Sequence, residues 1–69
     1  MNPDELLRRM RKNRDIRRHL TVTDKRGKGS HRMVEYKGKR ITLRKSGDMH
    51  PGTVKEFLRH LGIDWRDVF

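Results

Sequence analysis

The stretch HRMVEYKGKRITLR, from His31 to Arg44, decides the fold of this chain. Apolar and polar side chains alternate on both sides of Lys37-Gly38, and such alternation is typical of strands that bury one face. A two-residue connection that contains glycine favours a hairpin turn, which sets Tyr36 against Lys39 and His31 against Arg44. The sequence therefore predicts an antiparallel hairpin in this register.

The positions of the apolar side chains support the same register. Val34, Ile41 and Leu43 share one face in this pairing, whereas a slip of one residue would divide them between two faces. We expect that face to pack on the core and the other to stay open to solvent. The open face then carries His31, Met33, Glu35, Arg40, Thr42 and Arg44.

A first strand is predicted from Ile16 to Thr23. Ile16, Leu20 and Val22 share one parity there, which indicates a strand with one apolar face. Continuation of the first helix is the competing interpretation. In the strand interpretation, His19 and Thr21 join the open face. The charged, glycine-containing segment 24–29 is predicted to be a loop.

A helix is predicted at the start of the chain. Asn2-Pro3-Asp4-Glu5 combines a capping asparagine, a proline at the first helical position and acidic residues in the first turn. Leu6, Leu7 and Met10 then fall on one face, and the pattern stops at about Asn13.

The run His50–Gly62 gives the clearest helix. Its apolar residues recur at helical spacing, Pro51 stands near the start, and Gly62 is placed to end the helix, with Ile63 closing the cap. The apolar residues are Val54, Phe57, Leu58 and Leu61. A short turn is expected after this helix, with Trp65 and Phe69 packed onto the core.

The predicted order is a helix, three strands and a helix, which defines an α+β fold. We expect a three-stranded antiparallel sheet with both helices on one face, in a single domain that covers residues 1–69. With 69 residues there is room for one small core.

Charge indicates the class of partner. Nineteen Lys and Arg residues against nine Asp and Glu residues give a formal net charge of +10, spread along the whole chain. Phosphate contacts from such residues dominate nucleic-acid affinity, so we expect a nucleic acid as the partner rather than a membrane surface.

The chain has no cysteine, which excludes disulfides and thiolate metal sites. It also has no apolar run of membrane-spanning length, so the expected location is the cytoplasm.

His31 is the candidate catalytic residue. It follows Lys28-Gly29-Ser30, where glycine-exposed backbone amides, a cation and a hydroxyl could bind a phosphate, and Arg44 adds charge from the opposite strand. An imidazole beside a phosphodiester can move a proton at neutral pH. The alternative is a strand-edge histidine that only forms a structural hydrogen bond.

The other histidines are weaker candidates for a functional role. His60 is expected on the polar side of the second helix, and His50 is expected to be a cap or loop residue. Asp48 with His50 supplies too few ligands for a metal site, and the glycines match no nucleotide-binding fingerprint. We therefore expect no metal and no cofactor.

Several motifs together resemble the HicA toxins of bacterial type II toxin-antitoxin systems. The resemblance covers residues 28–69 well and the first helix loosely. It implies a fold like that of double-stranded-RNA-binding domains, mRNA interferase activity, His31 as the catalytic residue and a HicB-like antitoxin that covers the active site. The motifs are Lys28-Gly29-Ser30-His31, Ile41-Thr42-Leu43, Gly47–Val54, Phe57-Leu58 and Leu61-Gly62-Ile63.

The resulting hypothesis is a metal-independent endoribonuclease. Single-stranded mRNA would lie across the open sheet face, its phosphates held by Lys28, Arg40, Arg44 and the Gly29-Ser30 loop. The alternative is an RNA-binding module without catalysis. A DNA-binding regulator is less consistent with the sequence, because the second helix uses its regular face for the core. The free chain is expected to be a monomer.

Overall fold

The computed structural model describes residues 1–24 and 31–69, and it confirms the α+β fold with a three-stranded antiparallel sheet. One further short helix, α2, precedes the first strand. The elements are α1 (Pro3–Lys12), α2 (Arg14–His19), β1 (Leu20–Thr23), β2 (His31–Tyr36), β3 (Lys39–Arg44), α3 (Pro51–His60) and a 3₁₀ turn (Trp65–Asp67).

The hairpin of β2 and β3 has the predicted register. Tyr36 lies opposite Lys39, and His31 lies opposite Arg44 at the other end. Lys37 and Gly38 form the turn with φ angles of 48° and 83°, the left-handed region that a tight turn between twisted strands requires. β1 pairs with the other side of β2, so the strand order is β1-β2-β3 and β3 forms an edge of the sheet.

The core lies between one sheet face and the helices. Val34 and Leu43 are buried on that face and belong to the same apolar cluster as Leu6 of α1 and Phe57 of α3. Both long helices therefore cover the same side of the sheet, as predicted. Tyr36 is buried with them.

The predicted strand from Ile16 to Thr23 is wrong over its first half. Asn13 ends α1, and its side-chain oxygen accepts hydrogen bonds from the backbone amides of Asp15 and Ile16, which starts α2. Ile16 is then buried from a helix instead of a strand. The strand begins only at Leu20, so the interpretation is correct for the second half alone.

The predicted helix ends are confirmed. The Asn2 side chain accepts from the Glu5 amide at 2.8 Å. At the other end of the chain, Gly62 has a φ of 77°, and the Ile63 amide donates to the carbonyl of Leu58 at 2.9 Å. This left-handed glycine cap turns the chain back so that Ile63 is buried.

The short C-terminal turn is confirmed, but its aromatic residues do not fill the core. Val68 is buried, whereas Trp65 and Phe69 stay 42% and 47% exposed. Cations cover their rings: Lys55 Nζ lies 4.8 Å from the centroid of Trp65, and the guanidinium carbon of Arg9 lies 5.3 Å from that of Phe69. Rings on such a charged surface are stabilised by cation–π contacts.

Candidate nucleic-acid interface

His31 is the first residue of β2 and is exposed. Its place opposite Arg44 brings the candidate imidazole and one predicted phosphate-binding cation together at one end of the hairpin. The other predicted ligands at this end, Lys28, Gly29 and Ser30, lie outside the described residues.

The open sheet face has most of its predicted members. Arg40, Thr42 and Arg44 alternate with the core-facing residues of β3 and are exposed. Thr21 occupies the same face on β1. His19 is a correction, because it lies in α2 with its ring edge-on to Tyr36 at 6.2 Å.

Arg40 is separated from the catalytic candidate. It lies opposite Glu35, and its Nε is 3.5 Å from a Glu35 carboxylate oxygen. Four positions along a strand place it about 13 Å from the end of the hairpin that holds His31. Arg40 can therefore contact a neighbouring phosphate of an extended strand, whereas Arg44 is the cation beside His31.

A groove of about 610 Å³ runs along the edge strand β3 and beside α3. It brings the end of the hairpin together with the loop before α3 and with one side of that helix. Its polar lining comprises His31, Thr42, Arg44, Asp48, His50, Thr53, Glu56 and His60. Sequence reasoning missed this arrangement, since the residues come from four separate stretches and share no local spacing.

His50 is confirmed as a cap, and it also lines the groove. Its Nδ1 accepts a hydrogen bond from the Gly52 amide at 3.2 Å, which closes the first turn of α3. Three of the four histidines of the chain, His31, His50 and His60, therefore meet along one groove.

His60 has a structural contact that the sequence did not indicate. Its Nε2 lies 2.9 Å from the backbone carbonyl oxygen of Arg40, and only a protonated nitrogen can donate to that acceptor. The bond attaches the end of α3 to the edge strand β3. It holds one end of the groove in place.

Two carboxylates also face the groove, and each has a cationic neighbour. Asp48 lies 2.6 Å from the N-terminal ammonium, whose hydrogen bond and charge lower the pKa of that carboxyl. Glu56 lies 3.4 Å from Arg59. Both pairs reduce the negative potential that an approaching phosphate would meet.

Arg32 supports, from the core side, the end of the hairpin that holds His31. Its side chain is only 12% exposed, and its guanidinium lies 2.8 Å from Asp4 of α1. The same group reaches the carbonyl oxygen of Arg44 at 3.5 Å. The neighbours of His31 are therefore connected to α1 by a largely buried cation.

A second cationic surface lies on α1 and α2. These helices cover the core side of the sheet, so their outward side chains face away from the open sheet face. Asp4 and Asp15 are exposed among the cations. The exposed cations are Arg8, Arg11, Lys12, Arg14, Arg17 and Arg18.

Neither a metal-binding cluster within the described residues nor a similar known protein adds to this description of the site. Within residues 1–24 and 31–69, no three His, Asp or Glu side chains come together as a group that could hold a metal ion. None of the described helices is both long and apolar enough to cross a bilayer. Comparisons with protein-family models, with curated proteins and with solved structures found no match.

Proposed function

We propose that the protein is a metal-independent endoribonuclease that cleaves mRNA, with His31 as its proton-transfer residue. One observation carries the proposal: an exposed imidazole lies directly opposite Arg44 where the open sheet face meets a groove. The motifs shared with HicA toxins, including the Gly29-Ser30-His31 sequence, support the same assignment.

The reaction needs no external nucleophile. His31 removes the proton of a ribose 2′-hydroxyl, and the 2′-oxygen attacks the adjacent phosphorus. The bond from phosphorus to the 5′-oxygen breaks, which leaves a 2′,3′-cyclic phosphate. The 5′-oxygen takes up a proton from the imidazolium or from water. Arg44 offsets the charge of the phosphate during the attack.

A single imidazole predicts a slow enzyme. General acid-base help contributes about 10²- to 10⁴-fold to a rate, and no second proton-transfer group is assigned here. Slow cleavage is sufficient for a toxin, because each cut destroys a messenger that would otherwise be translated many times. We further propose that the protein acts in the cytoplasm and that a HicB-like antitoxin covers the groove.

The alternative function is RNA binding without cleavage. Cations occupy both the open sheet face and the outward side of α1 and α2. Such a distribution suits a protein that RNA contacts on two sides, and it requires no catalytic group.

One experiment separates the two functions. Wild type and His31→Ala are incubated with a long mRNA in excess EDTA, and binding to the same RNA is measured in parallel. His19→Ala is the matched control, because it removes an exposed imidazole outside the groove. We expect wild type and the control to cleave, and His31→Ala to bind without cleaving. Equal binding with no cleavage by any of the three would favour the binding module.

A further inference from the structure

His50 is held in one tautomer by its own helix. The Gly52 amide donates to Nδ1 at 3.2 Å, and a ring nitrogen that accepts a hydrogen bond carries no proton. The proton of the neutral ring must then be on Nε2. The cap therefore makes His50 a hydrogen-bond donor of fixed identity.

The Nε2–H of His50 has no acceptor among the described residues. Over the described ranges, Nε2 of His50 makes no hydrogen bond, and the side chain is exposed in the groove that His31 also lines. Arg44 and Thr53 line the same groove. A proton-transfer candidate, a cation, a hydroxyl and an imidazole N–H thus share one cleft, which is a donor set suited to phosphate oxygens.

The carboxylates of the groove do not prevent anion binding. Asp48 is engaged by the N-terminal ammonium at 2.6 Å, and Glu56 is engaged by Arg59 at 3.4 Å. The anion would therefore meet two ion pairs and not two isolated negative charges.

We propose that His50 binds a non-bridging phosphate oxygen of the RNA through its Nε2–H, at the phosphate beside His31. His50 transfers no proton in this assignment, because its Nδ1 is engaged by the Gly52 amide. This inference rests on the proposed function in one respect, namely that RNA occupies the groove. It assigns proton transfer to His31 and hydrogen bonding of the phosphate to His50.

One substitution at position 50 can remove the imidazole N–H while keeping the cap on α3. His50→Ser keeps a side-chain oxygen that can accept from the Gly52 amide, since serine is a preferred capping residue, but it removes the imidazole donor. His19→Ser is the matched control outside the groove. Circular dichroism and thermal unfolding establish that α3 is retained. We expect kcat/KM for RNA to fall about 10- to 100-fold, the loss of one hydrogen bond to a charged group.

The shape of the pH–rate profile distinguishes donation from proton transfer. Because the inference gives His50 a hydrogen bond to the phosphate and no proton transfer, His50→Ser should lower the profile without changing its limbs. Disappearance of one limb would overturn the inference, since His50 would then transfer a proton.

A binding measurement keeps the inference independent of catalysis. An RNA oligonucleotide with 2′-O-methyl riboses has no nucleophile, and it is titrated into ¹⁵N-histidine-labelled protein. We expect the Nε2 resonance of His50 to shift and the pattern of its ring to remain that of the Nε2–H tautomer. If this shift occurs but wild type does not cleave ordinary RNA, the nuclease proposal fails and the phosphate contact stands. If wild type cleaves, His50→Ser cleaves equally well and the Nε2 resonance of His50 in the wild type does not shift, the inference fails alone.

Discussion

The guanidinium of Arg32 lies 2.8 Å from the carboxylate of Asp4, across 28 positions of sequence. This ion pair joins the end of the β2-β3 hairpin that holds His31 to the first turn of α1. Arg32 is 12% exposed and Asp4 is 74% exposed, so the contact is a buried cation held by a carboxylate at the surface. Loss of the carboxylate would leave the cation largely buried with fewer partners.

We therefore expect Asp4→Asn to lower the free energy of unfolding by only about 1 kcal/mol, since solvent screens the exposed carboxylate of the pair. Urea unfolding of wild type and variant measures the change. Asp24→Asn is the control, because its cationic partner Lys45, at 3.2 Å, is 35% exposed whereas Arg32 is 12% exposed, and a smaller effect is expected. Equal effects of the two substitutions would contradict this role for Arg32.

Asn13, where α1 ends and α2 begins, predicts a larger loss of stability than Asp4 does. One side-chain oxygen accepts from both the Asp15 and Ile16 amides, and the side-chain amide donates to the Asp67 carbonyl at 3.2 Å. Asn13→Ala removes all three bonds and should cost about 1 kcal/mol or more, as loss of a helix cap does. Asn13→Asp keeps the acceptor and should recover most of the stability. Chemical unfolding of the three proteins provides the comparison.

Glu5 predicts a pH dependence of stability. A side-chain hydrogen bond from Arg8 and the charges of Arg8 and Arg9 lower the pKa of this carboxyl from its ordinary 4.5. A carboxyl with a lowered folded-state pKa contributes stability above its unfolded value, and that stability is lost as pH falls through the folded value. The melting temperature should therefore decrease as the pH is lowered below 4.5.

Glu5→Gln should reduce this decline, because the variant has no carboxyl to protonate. Arg8→Met should reduce it as well, since it removes the main cause of the shift. Melting temperatures measured over the acid range at low salt provide the test. An unchanged acid decline in both variants would show that other carboxyls dominate it.

Local chemistry explains why the hairpin could be predicted and the first strand only in part. Lys37-Gly38 specifies a tight turn, and the alternating side chains beside it fit only one register. Ile16 and Leu20 are less informative, because a separation of four residues fits both a helix and one parity of a strand. The cap on Asn13 decided between them, and a lone asparagine before Arg14 and Asp15 is a weak signal in sequence.

The groove could not be predicted for a different reason. His31, His50 and His60 are brought together by the packing of α3 along β3, a long-range contact that no local pattern encodes. His50 was expected to be a cap or loop residue from its place before Pro51, and it is the cap. That His50 also lines the same groove as His31 depends on where the whole of α3 lies.

The cations of α1 and α2 allow the last prediction, which concerns how much of the protein RNA contacts. Arg17 and Arg18 are exposed on α2, away from the groove. If RNA reaches this surface, replacing both with Gln should weaken binding and reduce the salt dependence by about 0.7 in log–log slope per lost phosphate contact. Cleavage at saturating RNA should not change, because neither residue lines the groove that His31 lines.

Lys55→Gln is the control for this double variant, since it also removes an exposed cation, here one on α3 that lies over the ring of Trp65. Fluorescence titrations of one labelled RNA at several salt concentrations give the slopes. A smaller slope in the α2 variant alone means that RNA contacts the protein on both sides of the sheet. If the slope of the α2 variant equals that of wild type, RNA contacts only the sheet and groove side, and the charge on α2 serves another purpose.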